Sequence, residues 1–472
     1  MTGEQEPTST TGDPPPPGRG RGWLRPWMVL AAGAVLLVVA GVAIAVPARP
    51  SSLPVTTAAA SPPASSPAPS GPAPSSTGPA RDRLDSQIAG LQAQLKDDPG
   101  NAENWATLAI DYVQQGKNTV NPMYYPKAEG ALQTSLALNH TDNYIALAGV
   151  ADLRAAEHRF GEALTAAQQA NAINPSNSTI YGALDDAYTQ LGQYDQAAQA
   201  VQHMLDLAPG TPSLTRAEYV YELRGQLPAA VGALQQALAD ASSPADQAFC
   251  RYYLGELAFN QGDPAGALAQ NTLGLRVDPT YPDLLEGKAK AEAALGQVDA
   301  AVADYTAVVA NVPQPQYVIE AGEYLQSLGR TGEAQQDYAL FDAENQLFQA
   351  NGVQLDTDPT LFYANHGDPA RALVFGQVGI GIRPFLEMDD AYAWALHVNH
   401  RDPEALTFAQ QAGATGMRNA GFSFHKGMIE NSLGQTGPAR ADLTQALAIN
   451  PHFNPLQAPI AHATLAGLGG TR

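Results

Sequence analysis

Along most of the chain, apolar residues fall three and four positions apart in stretches of about a dozen residues. That spacing puts them on one face of an α-helix. Tyr181, Leu184 and Tyr188 form one such stretch, and Ala197, Val201 and Met204 form the next. Gly192 lies between them, where a left-handed residue is expected to stop the first helix. Gly225, Gly262, Gly296, Gly329 and Gly434 occupy the same slot in other units, and His158 and His400 fill it in two more. A small alanine follows the slot by five residues, as at Ala197, Ala301 and Ala439, letting two helices approach closely. Prolines mark the end of each pair. Pro175 and Pro209 are 34 residues apart, as are Pro279 and Pro313. The intervals from Pro209 to Pro279, Pro313 to Pro384 and Pro384 to Pro451 are 70, 71 and 67 residues, each room for two units. The pattern predicts an all-α chain of helix pairs with a period of about 34 residues.

The unit Asn177–Pro209 carries Tyr181, Leu184, Tyr188, Gly192, Ala197 and Pro209. In this it resembles a tetratricopeptide repeat, with its 34-residue period, large–Leu–small–Tyr first helix and late proline. About ten such units fit between Asn101 and Pro451. The resemblance implies a solenoid wound into a right-handed superhelix, because one pair cannot bury its apolar face alone and stacked pairs share a continuous core. Three departures are visible. The segment Asn118–Pro126, with Tyr124 and Tyr125, delays a second helix by about seven residues and is a candidate partner contact. Between Phe341 and Thr360 the register blurs, and a longer helix followed by a loop is expected. Capping helices are expected at the two ends, one on Leu84, Ile88, Leu91 and Leu95, the other over Pro459–Leu468.

The first eighty residues break the pattern. Residues 1–26 are polar and rich in Pro and Gly, a composition that predicts disorder. Residues 27–46, Trp27 to Val46, contain no charge. Twenty helical residues span about 30 Å, the thickness of a hydrocarbon core. Arg19, Arg21 and Arg25 precede the run and Arg49 alone closely follows it. This predicts a signal anchor with the N-terminus in the cytoplasm and the remainder outside. The alternative is a signal peptide cleaved near Ala43-Ile44-Ala45, leaving a secreted protein. Residues 47–80 are a linker in which 26 of 34 positions are Pro, Ser or Ala, a composition that favours an extended polyproline stalk. Residues 81–472 form the repeat domain.

Charge and chemistry narrow the function. The chain has 25 Lys and Arg against 46 Asp and Glu, a net charge of −21. This argues against nucleic acid, whose phosphates need bases. The one cysteine, Cys250, excludes an intrachain disulfide and multi-cysteine metal sites, and its neighbours Phe249 and Tyr252 predict a buried apolar role. No GxxxxGK[ST], HExxH or GxSxG motif occurs, so neither a cofactor nor catalysis is expected. Gly376-x-x-Gly379-x-Gly381 follows a helical stretch rather than a strand, and is read as helix-packing glycines.

The resemblance implies that the first helix of each pair lines the concave side. Its concave positions fall on Asp186, Gln190, Tyr219, Glu222, Tyr252, Glu256, Phe259, Asn260, Glu323, Trp394 and His397. Carboxylates and aromatics dominate, and Lys290 is almost the sole base among them. A basic or amphipathic protein segment fits that charge, with Tyr252, Phe259 and Trp394 as anchors. The expected function is a membrane-anchored, non-catalytic protein-interaction scaffold. The alternative is an accessory protein serving a transporter, binding a metal or small ligand through His397 and His400 with Asp389 and Asp390.

Overall fold

The computed structural model describes residues 79–469 and contains, among them, twenty-two α-helices and no strand. A capping helix, α1 (Pro79–Asp97), precedes ten helix pairs. They are α2 (Ala102–Thr119) with α3 (Tyr125–Leu138), α4 (Tyr144–Ala156) with α5 (Phe160–Ile173), and α6 (Ser178–Gln190) with α7 (Tyr194–Leu207). Next come α8 (Thr211–Leu223) with α9 (Leu227–Asp240), α10 (Pro244–Asn260) with α11 (Pro264–Val277), and α12 (Pro282–Ala294) with α13 (Val298–Asn311). The last four are α14 (Pro315–Ser327) with α15 (Thr331–Ala350), α16 (Thr357–Asn365) with α17 (Pro369–Ile382), α18 (Leu386–Val398) with α19 (Asp402–Ala412), and α20 (Ala420–Ser432) with α21 (Thr436–Ile449). A second cap, α22 (Gln457–Gly467), closes the array. The number of pairs, both caps and the long helix α15 followed by a loop agree with the sequence pattern. The tail, apolar run and linker expected before Pro79 lie outside the described residues. Among the described residues no helix is long and apolar enough to cross a membrane.

The slot between paired helices is left-handed wherever the pattern places it. Gly192, Gly225, Gly262, Gly296, Gly329 and Gly434 have φ between 66° and 76°. His158 and His400 accept the same conformation at 59° and 60°, a region that non-glycine residues enter with difficulty. The alanine five residues later is buried in every such unit, as at Ala163, Ala197, Ala301, Ala405 and Ala439. Gly376 and Gly379 are packing glycines on α17. A Cβ at Gly376 would lie 2.7 Å from the Tyr392 ring, and one at Gly379 would lie 2.4 Å from the Met388 sulfur. Cys250 is buried against Leu214 and Ala237, and burial pushes its thiol up to about 12. The Asn118–Pro126 segment packs back on its own repeat: Tyr125 is buried and crowds Gly116, and Lys127 sits 4.4 Å above the Tyr124 ring.

The array also folds back on itself. The Tyr194 hydroxyl accepts from the Leu386 amide at 2.9 Å, and the Arg383 guanidinium donates to Gln190 at 2.6 Å. Asn450 donates to the carbonyl of Phe259 at 2.9 Å, and the amide of Gln354 to the carbonyl of Glu157 at 3.0 Å. The three side-chain bonds join residues 191 to 193 positions apart. A constant offset between five and six 34-residue units is what one superhelical turn resting on the next produces. Glycines of the first turn sit at this seam: the Cβ missing from Gly192 would meet the Pro384 carbonyl at 2.4 Å, and that of Gly225 the Gly416 carbonyl at 2.6 Å. Val353, in the loop after α15, is buried in the N-terminal core with Leu108, Tyr112 and Leu132.

Candidate binding cavity of the inner wall

The contact between turns changes what the concave positions do. Tyr219 is 1 % exposed and its hydroxyl donates to Glu387 of the other turn at 2.8 Å. Tyr252 is buried, with its hydroxyl 3.5 Å from Glu286. Phe259 packs on Ala267 and Ala291 under the Lys290 ammonium. Trp394 is buried, stacks on His425 at 4.3 Å and donates to Asn365 at 2.8 Å. Tyr252, Phe259 and Trp394 were expected as anchors for a ligand in an open groove, but the structure buries these rings, like that of Tyr219, as packing within and between turns. Gln190 is buried and holds Arg383. Asp186 accepts from Arg216 at 2.9 Å, and Glu256 from Lys290 at the same distance.

Glu222 and Asn260 line a half-open cavity of about 400 Å³ between the opposed turns. This lies within the range of small-molecule sites. First-helix residues of six repeats and the segment before α22 form its wall, with carboxylates Glu222, Glu320, Glu323, Asp358, Glu387 and Asp390. Its basic residues are Arg418 and His425, and Ile319, Leu361, Phe362, Phe422 and Phe453 supply apolar surface. Some acids are engaged. Glu323 accepts from Asn454 at 2.6 Å and lies 3.3 Å from His366. Burial acts against Glu320, but the Lys290 charge holds its carboxyl below the usual range. Others are not. Asp390 is 3 % exposed; its Oδ2 lies 2.8 Å from His425 Nδ1, while Oδ1 has no partner. Glu387 holds Tyr219 through Oε1 and leaves Oε2 without a partner. Burial, then the charges of Glu387 and Glu256, push Glu222 up to about 8.

A second polar cluster ties the turns beside this cavity. Asp356, 3 % exposed, accepts two bonds from Arg383 at 2.9 and 3.0 Å, and His158 Nδ1 lies 3.3 Å away. Burial works against the Asp356 charge, yet Arg383 and His158 hold its carboxyl well below the usual carboxylate range. The guanidinium is sandwiched by Phe160 and Phe385, 5.0 and 4.0 Å from the ring centres.

The alternative metal group is not assembled. His397 Nδ1 lies 2.5 Å from Asp402, His400 serves as the left-handed stop, and Asp390 faces His425. Among the described residues no group of three or more His, Cys, Asp or Glu is placed to hold a metal ion.

Paired antiparallel helices stacked in register, with a left-handed stop and a small alanine in each pair, define a helical repeat solenoid. Residues 154–217 match the tetratricopeptide repeat family, so the chain carries repeats of this type. That stretch contains the Asn177–Pro209 unit. No curated protein matches the sequence. Among solved structures, a tetratricopeptide repeat protein from Parabacteroides merdae is 16 % identical, with a TM-score of 0.32 over 53 % of this chain and 95 % of its own. The thermophilic repeat protein TTC0263 from Thermus thermophilus is 24 % identical, with a TM-score of 0.34 over 40 % of this chain and 98 % of its own. A human IFIT1 dimer is 11 % identical, with a TM-score of 0.39 over 78 % of this chain and 94 % of its own.

Proposed function

We propose that the chain is a non-catalytic protein-interaction scaffold, anchored by the apolar run at residues 27–46 and carrying its solenoid outside the membrane on the Pro-rich linker. The partner contributes a basic or amphipathic segment. The observation that carries this reading is the surplus of carboxylates on the inner wall, where Glu222, Glu387 and Asp390 face a cavity whose basic residues are Arg418 and His425. Such a wall attracts a basic partner and repels an acidic one. An extended peptide lying along an open groove is replaced by a narrower mode, in which basic side chains enter between the turns.

The test is crosslinking in intact cells followed by affinity capture, with full-length protein and the paired variant Glu387→Gln/Asp390→Asn. The reading expects a specific protein recovered with the wild type and lost with the variant, whose helicity is unchanged. Equal recovery with both would remove the inner wall from the interaction. Protease added to intact cells or spheroplasts tests the orientation: the repeat domain should be digested, and protection would place it on the cytoplasmic side.

A further inference from the structure

The seam between turns follows a counting rule. From His158 onward, each left-handed slot of the first turn meets the end of the second helix five pairs further on, or the loop after it. Beside the His158 slot, the Glu157 carbonyl accepts from Gln354, in the loop after α15, at 3.0 Å. Gly192 meets the loop after α17, Gly225 the loop after α19 and Gly262 the end of α21. An added Cβ at these three glycines would lie 2.4, 2.6 and 2.9 Å from a carbonyl oxygen of the other turn.

Beyond Gly262 the slots stand open. Gly296, Gly329, Gly367 and Gly434 keep the left-handed conformation, yet an added Cβ would meet no atom within 4 Å. Leu295 and Leu328, just before two of these slots, are exposed. On the opposite rim, the second helices α3, α5 and α7 of the first turn end on exposed Leu138, Ile173 and Leu207. Leu138 is 46 % exposed, whereas Ile449, which ends α21 at the seam, is 2 % exposed. Single exposed leucines are ordinary on a surface; these recur at the two kinds of position that meet at the seam.

The end helices match in the same way. α22 stops at left-handed Gly469, φ 72°, as the first helix of a pair does. α1 runs into Asp98-Pro99, as second helices run into Asn174-Pro175, Asp278-Pro279 and Asn450-Pro451. Each is half of a pair, and α22 of one copy with α1 of the next makes a whole one. The counting rule then brings the loop after α1 to Gly296 and the end of α3 to Gly329, with Leu138 facing Leu328.

We propose that copies of this chain stack head to tail, the first-turn rim of one on the second-turn rim of another, continuing the superhelix. The occupant is a second copy because it brings the same series of helix ends and loops that fills the slots within one chain. The contact is heterologous, so each added copy leaves a rim free and growth does not stop at two. Every copy carries a net charge of −21, a repulsion that salt screens, so association should strengthen with ionic strength. The inference goes beyond the scaffold reading and rests on neither the anchor nor the acidic wall.

Sedimentation velocity of the full-length protein in detergent tests it, over a hundredfold range of concentration and at low and high salt. The expected mass climbs past the dimer with concentration, and further at high salt. Leu138→Glu and Leu328→Glu should each stay monomeric with unchanged helicity and melting temperature. Mixing these two variants should restore a dimer that grows no further, because one intact rim of each remains to pair. Val374→Glu, on an exposed position in the middle of α17, should assemble as the wild type does. A monomer at every concentration and salt, assembly that survives both rim variants, a mixture that stays monomeric, or loss of assembly in Val374→Glu overturns the proposal.

Discussion

Arg383 and Asp356 are 27 residues apart in sequence, and the bonded pair reaches across the seam to Gln190, Phe160 and His158. Arg383 makes three kinds of contact there: two bonds to Asp356, one to Gln190, and stacking on Phe160 and Phe385. Arg383→Ala leaves Asp356 charged and buried, a situation that costs about 3–5 kcal/mol. Arg383→Lys keeps a charge but loses the planar fork and the stacking, so its loss should be intermediate. Urea unfolding of the three proteins checks the order; equal stability of wild type and Arg383→Ala would contradict the seam. The glycine slot offers a sharper comparison. Gly192 and Gly329 share the left-handed conformation, at φ 68° and 75°. A Cβ at Gly329 meets open space, while one at Gly192 meets the Pro384 carbonyl of the other turn at 2.4 Å. Gly329→Ala should cost about 1–2 kcal/mol, the left-handed penalty alone. Gly192→Ala should cost distinctly more, and equal losses would mean that the turns do not touch.

The helices show how much the sequence reveals and where it stops. Each pair is legible because its determinants are local: apolar residues three and four apart, a left-handed stop, an alanine five residues on. The long α15 and the loop after it were readable as a break in that register. The slot at Gly367, with φ 84°, was missed because α15 runs to Ala350 and shifts the count before the short helix α16 begins. The concave face of the first helices was also readable, but its use was not. Tyr219 meets Glu387 and Phe259 meets Asn450 across 168 and 191 residues, and no local spacing marks such partners. Aromatics facing inward look alike whether they await a ligand or another turn. The loop 351–356 is the element that carries this long-range packing, through Val353 in the N-terminal core and Gln354 on Glu157. Val353→Asp should leave helicity intact but raise amide exchange in the segments around 157–160 and 383–386. Unchanged exchange there would deny the loop that role.

At the scale of the whole molecule, buried acids set the response to pH. Burial pushes Glu344 up to about 8, and burial with neighbouring charges does the same for Glu222. Burial with Asp442 raises Glu430 to about 7, and burial raises Asp111, Asp337 and Asp389 to about 6. These groups ionise near 4 once unfolded, so between about pH 4 and 8 the folded chain holds more protons than the unfolded one. Stability must then fall as pH rises through that window. Asp356 acts in the opposite sense: its stabilisation is present above the ordinary aspartate pKa and is lost as pH falls below it. Melting temperatures should peak near pH 4–5 and decline toward pH 8, and a rise from pH 5 to 8 would contradict the burial of these acids. The inner cavity, the seam and the acidic wall all follow from one property, the stacking of the second superhelical turn on the first. Spin labels at Asp195→Cys and Thr415→Cys, in a Cys250→Ala background, measure it directly, since both residues border one small surface pocket at the seam. Pulsed dipolar spectroscopy should give one short, narrow distance, comparable to that of two labels placed within a single helix pair. A long or broad distribution would mean an open solenoid whose turns do not meet.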